Sequence, residues 1–226
     1  MKKIFKYFGT LLSIALVGSF TGCLNPENEL EDVGLGIKVF FPTKVVAGQP
    51  MTINGSGFTG VREIVFPEGV TVTDFEIVSN DMIRVTAPSG IASAGGNLIV
   101  RTADDSAESP LALTVGRTTV SGYSVQEGDE LEGGQQFTVY GTDLEFINSF
   151  EILDPDGEPL IVPHEDFYRK GTSNVVITLP KKIFEGTYVA YLHTYDGQKI
   201  PLPALSYKPA SDGGHWETVK TVIWEN

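Results

Sequence analysis

The sequence predicts an all-β protein that contains two β-sandwiches in tandem. Glycine and proline, which mark turns, account for 25 and 13 of the 226 residues, and long runs of helix-forming residues are absent. Short stretches alternate apolar and polar residues with a period of two, as strands with one buried face do. The same phrases then recur in the same order in the second half of the chain, which indicates two copies of one fold.

The N-terminal segment 1–22 has the layout of a secretion signal. Three lysines within the first six residues precede an apolar run, 8–20, that is shorter than the roughly 20 residues a membrane span needs. Small residues then precede Cys23, an arrangement that resembles the lipobox of bacterial lipoproteins. The resemblance implies cleavage before Cys23 and a lipid on its thiol. The alternative is an incidental free thiol.

Residues 23–36 are predicted to form the lipidated cysteine and an acidic tether. Four acidic residues occur here without apolar periodicity, a pattern typical of a disordered linker. An acidic stretch after a lipid-bearing cysteine is similar to the export tag of lipoproteins displayed on the outer leaflet of some Gram-negative bacteria. A plain solvated linker is the alternative. We therefore expect a lipid-anchored protein of the cell outer membrane that is exposed at the cell surface.

The net charge limits the kinds of partner. The formal charge is −13, and removing the three lysines of the signal peptide brings it to −16. Such a surface repels nucleic acid and anionic lipid head groups. We expect no nucleic-acid partner, and membrane contact through the lipid anchor only. A neutral polysaccharide or oligosaccharide remains a compatible ligand. The chain has one cysteine, so it forms no internal disulfide.

The clearest repeat is AGQPMTINGSGF at 47–58, which returns as GGQQFTVYGTDL at 133–144. Its alternation predicts that Met51 and Ile53 point into a core, and that Phe58 covers the end of that core. Nothing in the phrase is a nucleophile, an acid–base pair or a set of metal ligands. We interpret it as a determinant of shape.

Two glycines of this phrase are predicted to supply backbone freedom where the strand ends and bends. They are Gly55 and Gly57. The second copy carries Asp143 at the position of Gly57, and aspartate is among the residues that tolerate turn conformations. The second copy is therefore expected to make the same bend.

The phrase Thr52-Ile53-x-Gly55-x-Gly57-Phe58, followed later by SNDMIRVTAP at 79–88, resembles the IPT/TIG domain. The resemblance implies an immunoglobulin-like sandwich of the E-set type. It places one copy at 37–116 and a second at 117–208. TIG domains occur in cell-surface receptors, transcription factors and bacterial surface lipoproteins, and the signal peptide and acidic charge exclude the transcription factors.

No catalytic constellation is evident in the sequence. The three histidines are far apart, and the chain has neither a nucleophile elbow nor a phosphate-binding loop. The acidic segment 154–158 is followed by Pro159 where a calcium-binding loop of the EF-hand type needs glycine. We interpret it as a turn between strands. The sequence predicts no enzyme, no metal and no cofactor.

The aromatic residues differ between the two copies. Between residues 37 and 116 every aromatic is phenylalanine, which predicts core filling and a spacer role for the first copy. In the second copy, alternation predicts that Tyr191, His193 and Tyr195 face outward along one strand. These three and the two tryptophans near the C-terminus, Trp216 and Trp224, are the candidate glycan-binding residues. The alternative for the outward tyrosines is cross-strand pairing.

The C-terminal tail, 209–226, contains a strand-like segment. The whole layout resembles surface glycan-binding lipoproteins of polysaccharide-utilisation systems, in which tandem immunoglobulin-like domains hold a C-terminal carbohydrate-binding domain. The resemblance implies carbohydrate binding or presentation without catalysis, and a tail that starts a missing glycan-binding domain. The alternative is a structural spacer or interaction module that docks on an outer-membrane transporter or lipoprotein.

Overall fold

The computed structural model describes residues 34–211. Within that range the regular elements are β-strands and short 3-10 turns. No helix among the described residues is long and apolar enough to cross a membrane. The signal peptide, Cys23, Trp216, Trp224 and the strand-like tail segment lie outside the described residues.

The first nine strands build two sheets, which we call the N-terminal sandwich. The strands are β1 Gly36–Phe41, β2 Lys44–Val45, β3 Pro50–Ser56, β4 Glu63–Phe66, β5 Val70–Val72, β6 Phe75–Ser79, β7 Met82–Thr86, β8 Gly96–Arg101 and β9 Ser106–Val115. The sheet orders are β1-β3-β7-β6 and β2-β9-β8-β4-β5. Short 3-10 turns occupy Phe58–Gly60 and Pro67–Gly69.

The remaining strands build three sheets, which we call the C-terminal sandwich. The strands are β10 Thr119–Tyr123, β11 Glu130–Glu132, β12 Gln136–Thr142, β13 Ile147–Leu153, β14 Pro159–Pro163, β15 Arg169–Lys170, β16 Asn174–Thr178, β17 Gly186–Tyr188, β18 Ala190–Thr194, β19 Lys199–Pro201 and β20 Leu205–Lys208. The sheet orders are β10-β12-β16-β15, β11-β20-β17 and β14-β13-β18-β19. Short 3-10 turns occupy Leu144–Phe146 and His164–Asp166.

The two sandwiches share one topology. The sheet β1-β3-β7-β6 corresponds to β10-β12-β16-β15, and the parallel pair β2 and β9 corresponds to β11 and β20. They differ where the long strand β9 is replaced by β19 and β20, which are separated by a segment containing Pro203. Proline has no N–H to donate to a sheet, so it favours a break there. The predicted all-β class and sandwich arrangement are confirmed, and the domain boundaries stay a prediction.

Each sandwich has its own hydrophobic core, and the repeated phrase contributes equivalent residues to both. Met51, Ile53 and Phe58 are at most 2% exposed in the first core. Their counterparts in the second core are Phe137, Val139 and Leu144, at most 1% exposed. The predicted inward positions are confirmed, because strand alternation places every second residue against the core.

The two glycines of the phrase have different roles. Gly57 adopts a left-handed conformation with φ of 71°, and Asp143 adopts it in the second copy with φ of 55°, as predicted. Gly55 is not left-handed, so the prediction of backbone freedom is wrong there. A Cβ on Gly55 would lie 1.9 Å from the carbonyl oxygen of Gly36. Gly55 is therefore required by the close approach of the neighbouring strand β1.

One buried hydroxyl in the second core lacks a partner. Tyr207 is 2% exposed, its hydroxyl makes no hydrogen bond, and burial raises its pKa. We expect Tyr207→Phe to raise the free energy of unfolding by about 1 kcal/mol, because an unpaired buried polar group is unfavourable. Urea denaturation measures the change. Tyr188→Phe is the control and should lose stability slightly, since the Tyr188 hydroxyl donates to the Glu185 carbonyl at 3.1 Å. A loss of stability in Tyr207→Phe would contradict the prediction.

Candidate functional site

The outer face of the sheet β1-β3-β7-β6 carries a row of four side chains, one from each strand. Phe41 lies opposite Thr52, Thr52 lies opposite Arg84, and Arg84 lies opposite Glu76. Paired residues project from the same face of a sheet. Because the flanking Met51 and Ile53 point into the core, this row faces away from it.

This row forms the floor of a groove of about 740 Å³, to which Tyr195 and Glu145 of the C-terminal sandwich contribute. The two sandwiches touch at its edge. A Cβ on Gly48 would lie only 2.4 Å from the carbonyl oxygen of Tyr195. The groove therefore depends on both sandwiches, and a polar row with aromatic side chains lies within it.

Phe41 is the most exposed aromatic residue of the groove, with 74% of its surface accessible, whereas Phe40 is 1% exposed. The prediction that phenylalanines of the first copy only fill the core is therefore wrong for Phe41. The interpretation of that copy as a mere spacer loses its main support. Two consecutive phenylalanines in a strand were the available signal, because alternation forces one of them outward.

The outward strand positions predicted for Tyr191 and His193 are confirmed, since both are partly exposed while Leu192 between them is buried. Their surfaces are occupied by neighbours from the same sheet. Lys199 Nζ lies 4.0 Å from the centroid of the Tyr191 ring, a cation–π arrangement. His193 Nε2 lies 3.3 Å from Glu151 Oε2. This approach does not have the alignment of a hydrogen bond.

Glu151 holds this cluster together. Lys199 Nζ donates to Glu151 Oε1 at 3.0 Å. Burial alone raises the pKa of the Glu151 carboxyl. The Lys199 hydrogen bond and the charges of His193 and Lys199 lower it by a larger amount, so the net pKa lies below the usual value. An ionised Glu151 keeps Lys199 over the Tyr191 ring. Stacking of a sugar on the face of the ring that Lys199 covers requires Lys199 to move.

Tyr195 does not continue the line of Tyr191 and His193. Strand β18 ends at Thr194, and Tyr195 follows it at the groove. Burial raises the pKa of the Tyr195 hydroxyl, and the nearby Glu165 adds to the shift. The structure thus separates the candidates into two sites. Tyr191 and His193 lie on the outer face of the sheet β14-β13-β18-β19. Tyr195 lies in the groove that Phe41 also lines.

Asp143 ties the second sandwich to the first near the groove. Lys44 Nζ donates to its Oδ1 at 2.7 Å, and the Arg117 N–H donates to its Oδ2 at 3.0 Å. Thr118 Oγ1 donates to the Asp143 carbonyl oxygen at 3.0 Å. Burial alone raises the pKa of the carboxyl, but the hydrogen bonds from Lys44 and Arg117 and the Lys44 charge bring the pKa below its usual value. The junction is therefore stabilised by the ionised form.

The depressed pKa of Asp143 predicts that the stability of the fold depends on pH. A depressed pKa in the folded state means that the ionised carboxylate stabilises the fold above its ordinary pKa of 3.8 and ceases to do so as the pH falls below it. We expect Asp143→Asn to lower the free energy of unfolding at neutral pH by about 1 kcal/mol or less. The difference from the natural protein should shrink at pH values below 3.8. Urea denaturation of both proteins at neutral pH and below pH 3.8 tests this. An equal difference in the free energy of unfolding under the two conditions would contradict the prediction.

The acidic segment at 154–158 forms a turn between β13 and β14, as predicted. Asp154 Oδ1 accepts hydrogen bonds from the backbone N–H groups of Asp156 at 2.9 Å and Glu158 at 2.7 Å. Across residues 34–211, no three histidine, cysteine or acidic side chains are grouped so as to hold a metal ion. The carboxylate of Asp154 has a structural role in this turn.

Comparison with known families identifies the N-terminal sandwich. Residues 36–115 match the family described as IPT/TIG domain. This segment is an IPT/TIG domain. The match covers β1 to β9, so the sheet that forms the groove floor belongs to the TIG domain. No curated protein matches the chain.

Several solved structures are similar to the chain. SGBP-B from the mixed-linkage glucan utilization locus of Bacteroides ovatus, in complex with a mixed-linkage heptasaccharide, has 19% identity and a TM-score of 0.37 over 78% of this chain and 46% of its own. SGBP-B from a complex xyloglucan utilization locus of Bacteroides uniformis has 23% identity and a TM-score of 0.34 over 76% and 49%. This chain thus spans about half the length of these two proteins. The extracellular region of plexin A4, at 15% identity and a TM-score of 0.57 over 83% and 17%, shares the fold.

Proposed function

We propose that this protein binds oligosaccharide chains without catalysis, in the groove that Phe41 lines. The observation that carries the proposal is a phenylalanine that is 74% exposed in a groove of about 740 Å³, next to a row of polar side chains. Sugars present apolar C–H faces that pack on aromatic rings, and hydroxyls that need hydrogen-bond partners. Phe41 and Tyr195 supply the first requirement, and Thr52 and Arg84 supply the second.

The groove suits a chain-like ligand better than a compact one. Its polar row crosses all four strands of the sheet from Phe41 to Glu76, and adjacent strands lie about 4.8 Å apart. Three such steps span a distance on the order of 14 Å. A ligand of several sugar units can contact Phe41 at one end and polar side chains along the row. Binding at the groove requires no movement of Lys199 from the Tyr191 ring.

The cellular setting that we propose is the outer membrane of a Gram-negative bacterium, with the protein anchored by a lipid on Cys23 and exposed at the surface. The secretion-signal layout of residues 1–22 and the acidic segment after Cys23 support this. In that setting the protein captures or presents polysaccharide for a utilisation system.

Affinity electrophoresis tests the function. The mature protein is run through native gels that contain neutral polysaccharides of different linkage, with a polyuronate gel as the control for charge. We expect retardation in at least one neutral gel and none in the polyuronate gel, because the acidic surface repels polyanions. A reducing-end assay on the same mixtures should show no increase. Absence of retardation in every gel would contradict the binding function, and release of reducing ends would contradict the non-catalytic one.

A second candidate function is docking on an outer-membrane transporter or lipoprotein. Strand register places Leu153, Ile161 and Val189 close together on the outer face of the sheet β14-β13-β18-β19, and they are 37%, 53% and 41% exposed. A cluster of exposed apolar side chains favours protein contact. Co-purification of a membrane partner from cells, together with no retardation in any polysaccharide gel, would favour this function over glycan binding.

A further inference from the structure

The exposed ring of Phe41 is close in the chain to Lys44, which contacts the C-terminal sandwich. Phe41 ends β1 and Lys44 begins β2, with only Pro42 and Thr43 between them. Proline restricts the backbone of this segment, and the Thr43 carbonyl oxygen accepts a hydrogen bond from the Thr114 N–H of β9 at 2.9 Å. The segment is therefore stiff, so a contact that holds Lys44 also holds Phe41.

Tyr195, on the other sandwich, is held by the 3-10 turn Leu144–Phe146. The Tyr195 N–H donates to the Phe146 carbonyl oxygen at 3.1 Å. The turn begins directly after Asp143, whose Oδ1 accepts a hydrogen bond from Lys44 Nζ at 2.7 Å. The same turn therefore contacts Tyr195 at its end and, through the residue before it, Lys44 of the N-terminal sandwich.

The linker between the sandwiches is bound on both sides. The Gly116 N–H donates to the Val45 carbonyl oxygen of the N-terminal sandwich at 2.8 Å. The next residue, Arg117, donates its N–H to Asp143 Oδ2 at 3.0 Å. A Cβ on Gly116 would lie 2.1 Å from Cε2 of Phe146, a ring that is fully buried. The linker thus packs against the C-terminal sandwich while it is hydrogen-bonded to the N-terminal one.

The ion pair of Lys44 and Asp143 adds to this linker and to the close approach of Gly48 to Tyr195. Each further contact restricts the rotation that the others leave between two bodies. A binding site whose walls are already in place loses less conformational freedom when a ligand binds. The contacts at the junction therefore favour a groove that is formed before the ligand arrives.

We infer that the ion pair of Lys44 and Asp143 positions the two walls of the groove. This rests on the proposed function, because it concerns the affinity of the same groove. Neither residue lines the groove, so the pair acts through the walls and not on the ligand. Without the pair, the orientation that puts Phe41 and Tyr195 in one groove is less populated. The apparent affinity then falls by the same fraction.

Three variants test the inference. Lys44→Met removes the charge and keeps an unbranched side chain, whereas Lys44→Arg keeps the charge that pairs with Asp143. Lys208→Met is the matched control, because the side chain of Lys208 is 44% exposed and that of Lys44 is 45% exposed. Lys208 is paired with Glu130 inside the C-terminal sandwich, and it does not line the groove.

Isothermal titration measures the affinity of each variant for an oligosaccharide cut from the polysaccharide that retards the natural protein most strongly. We expect Lys44→Met to bind about 3-fold to 10-fold more weakly, and the other two variants to stay within about twofold of the natural protein. A role in stability alone would leave the affinity of the folded protein unchanged. Urea denaturation confirms that each variant is folded.

Residual dipolar couplings of the backbone amides measure the relative orientation of the two sandwiches without any ligand. We expect one orientation in the natural protein, in Lys44→Arg and in Lys208→Met. In Lys44→Met the couplings should show averaging over several orientations, because the ion pair no longer restricts rotation. This measurement separates a change of orientation from a direct effect of the lysine on the ligand.

Unchanged affinity in Lys44→Met would overturn the inference and leave the proposed function intact. Equal losses in Lys44→Met and Lys208→Met would also overturn it, because the effect would then be one of net charge. So would a loss in Lys44→Arg as large as that in Lys44→Met, or weaker binding by Lys44→Met with the natural orientation. If no polysaccharide gel retards the natural protein, the proposed function fails and the inference fails with it.

Discussion

Gly141→Ala is expected to destabilise the C-terminal sandwich by about 3 kcal/mol or more. A Cβ at this position would lie 2.1 Å from the carbonyl oxygen of Thr119 and 2.8 Å from Leu144 Cδ2. One of these atoms belongs to the backbone of the neighbouring strand, and the other belongs to a side chain that is fully buried in the core. Neither can move without loss of strand pairing or packing. Urea denaturation monitored by far-ultraviolet circular dichroism measures the effect.

Gly122→Ala is the matched control for this substitution. Gly122 lies in β10, the strand that pairs with the strand of Gly141, and no atom lies within 4 Å of a Cβ added there. Its φ is not left-handed, so alanine fits without backbone strain. We expect a change of about 0.5 kcal/mol or less. Similar losses in both variants would contradict the argument that close approach of β10 requires glycine at position 141.

Phe41→Ala is expected to weaken oligosaccharide binding about 10-fold to 100-fold, which corresponds to the loss of one buried phenyl contact in the complex. The fold should not change, because 74% of Phe41 is exposed in the free protein. Affinity electrophoresis in the gel that retards the natural protein measures the loss of binding. Thermal denaturation of the same samples measures stability.

Tyr168→Ala controls for the loss of any exposed aromatic residue. Tyr168 is 73% exposed, close to the value for Phe41, but it does not line the groove. We expect the mobility of the Tyr168→Ala variant in the gel to match that of the natural protein. Full retardation of Phe41→Ala, or an equal loss in Tyr168→Ala, would contradict the assignment of the groove.

The features that could be predicted from the sequence are those that local chemistry determines. Alternation in the repeated phrase placed Met51 and Ile53 in the core. The comparison of Gly57 with Asp143 located the left-handed residue in both copies, because few residue types tolerate that conformation. The outward orientation of Tyr191 and His193 followed from the same strand period.

The candidate site could be predicted only in part, because the groove is formed by residues far apart in the sequence. Strand alternation predicts Tyr195 as an outward residue, but its place in the groove that Phe41 lines depends on how the two sandwiches meet. The coverage of the Tyr191 ring by Lys199 depends on the register of β18 and β19. No local pattern encodes these contacts. Phe41 itself has a local signal, the adjacent Phe40, because alternation along a strand turns only one of two consecutive residues into the core.

The most direct test of the central claim is a residue-resolved NMR titration of the mature protein with an oligosaccharide cut from the polysaccharide that retards it most strongly. If the groove is the binding site, the amide signals of Phe41, Thr52, Arg84 and Tyr195 shift together with a single affinity. Shifts confined to the strand of Tyr191 and His193, with no change at those four residues, would contradict the account.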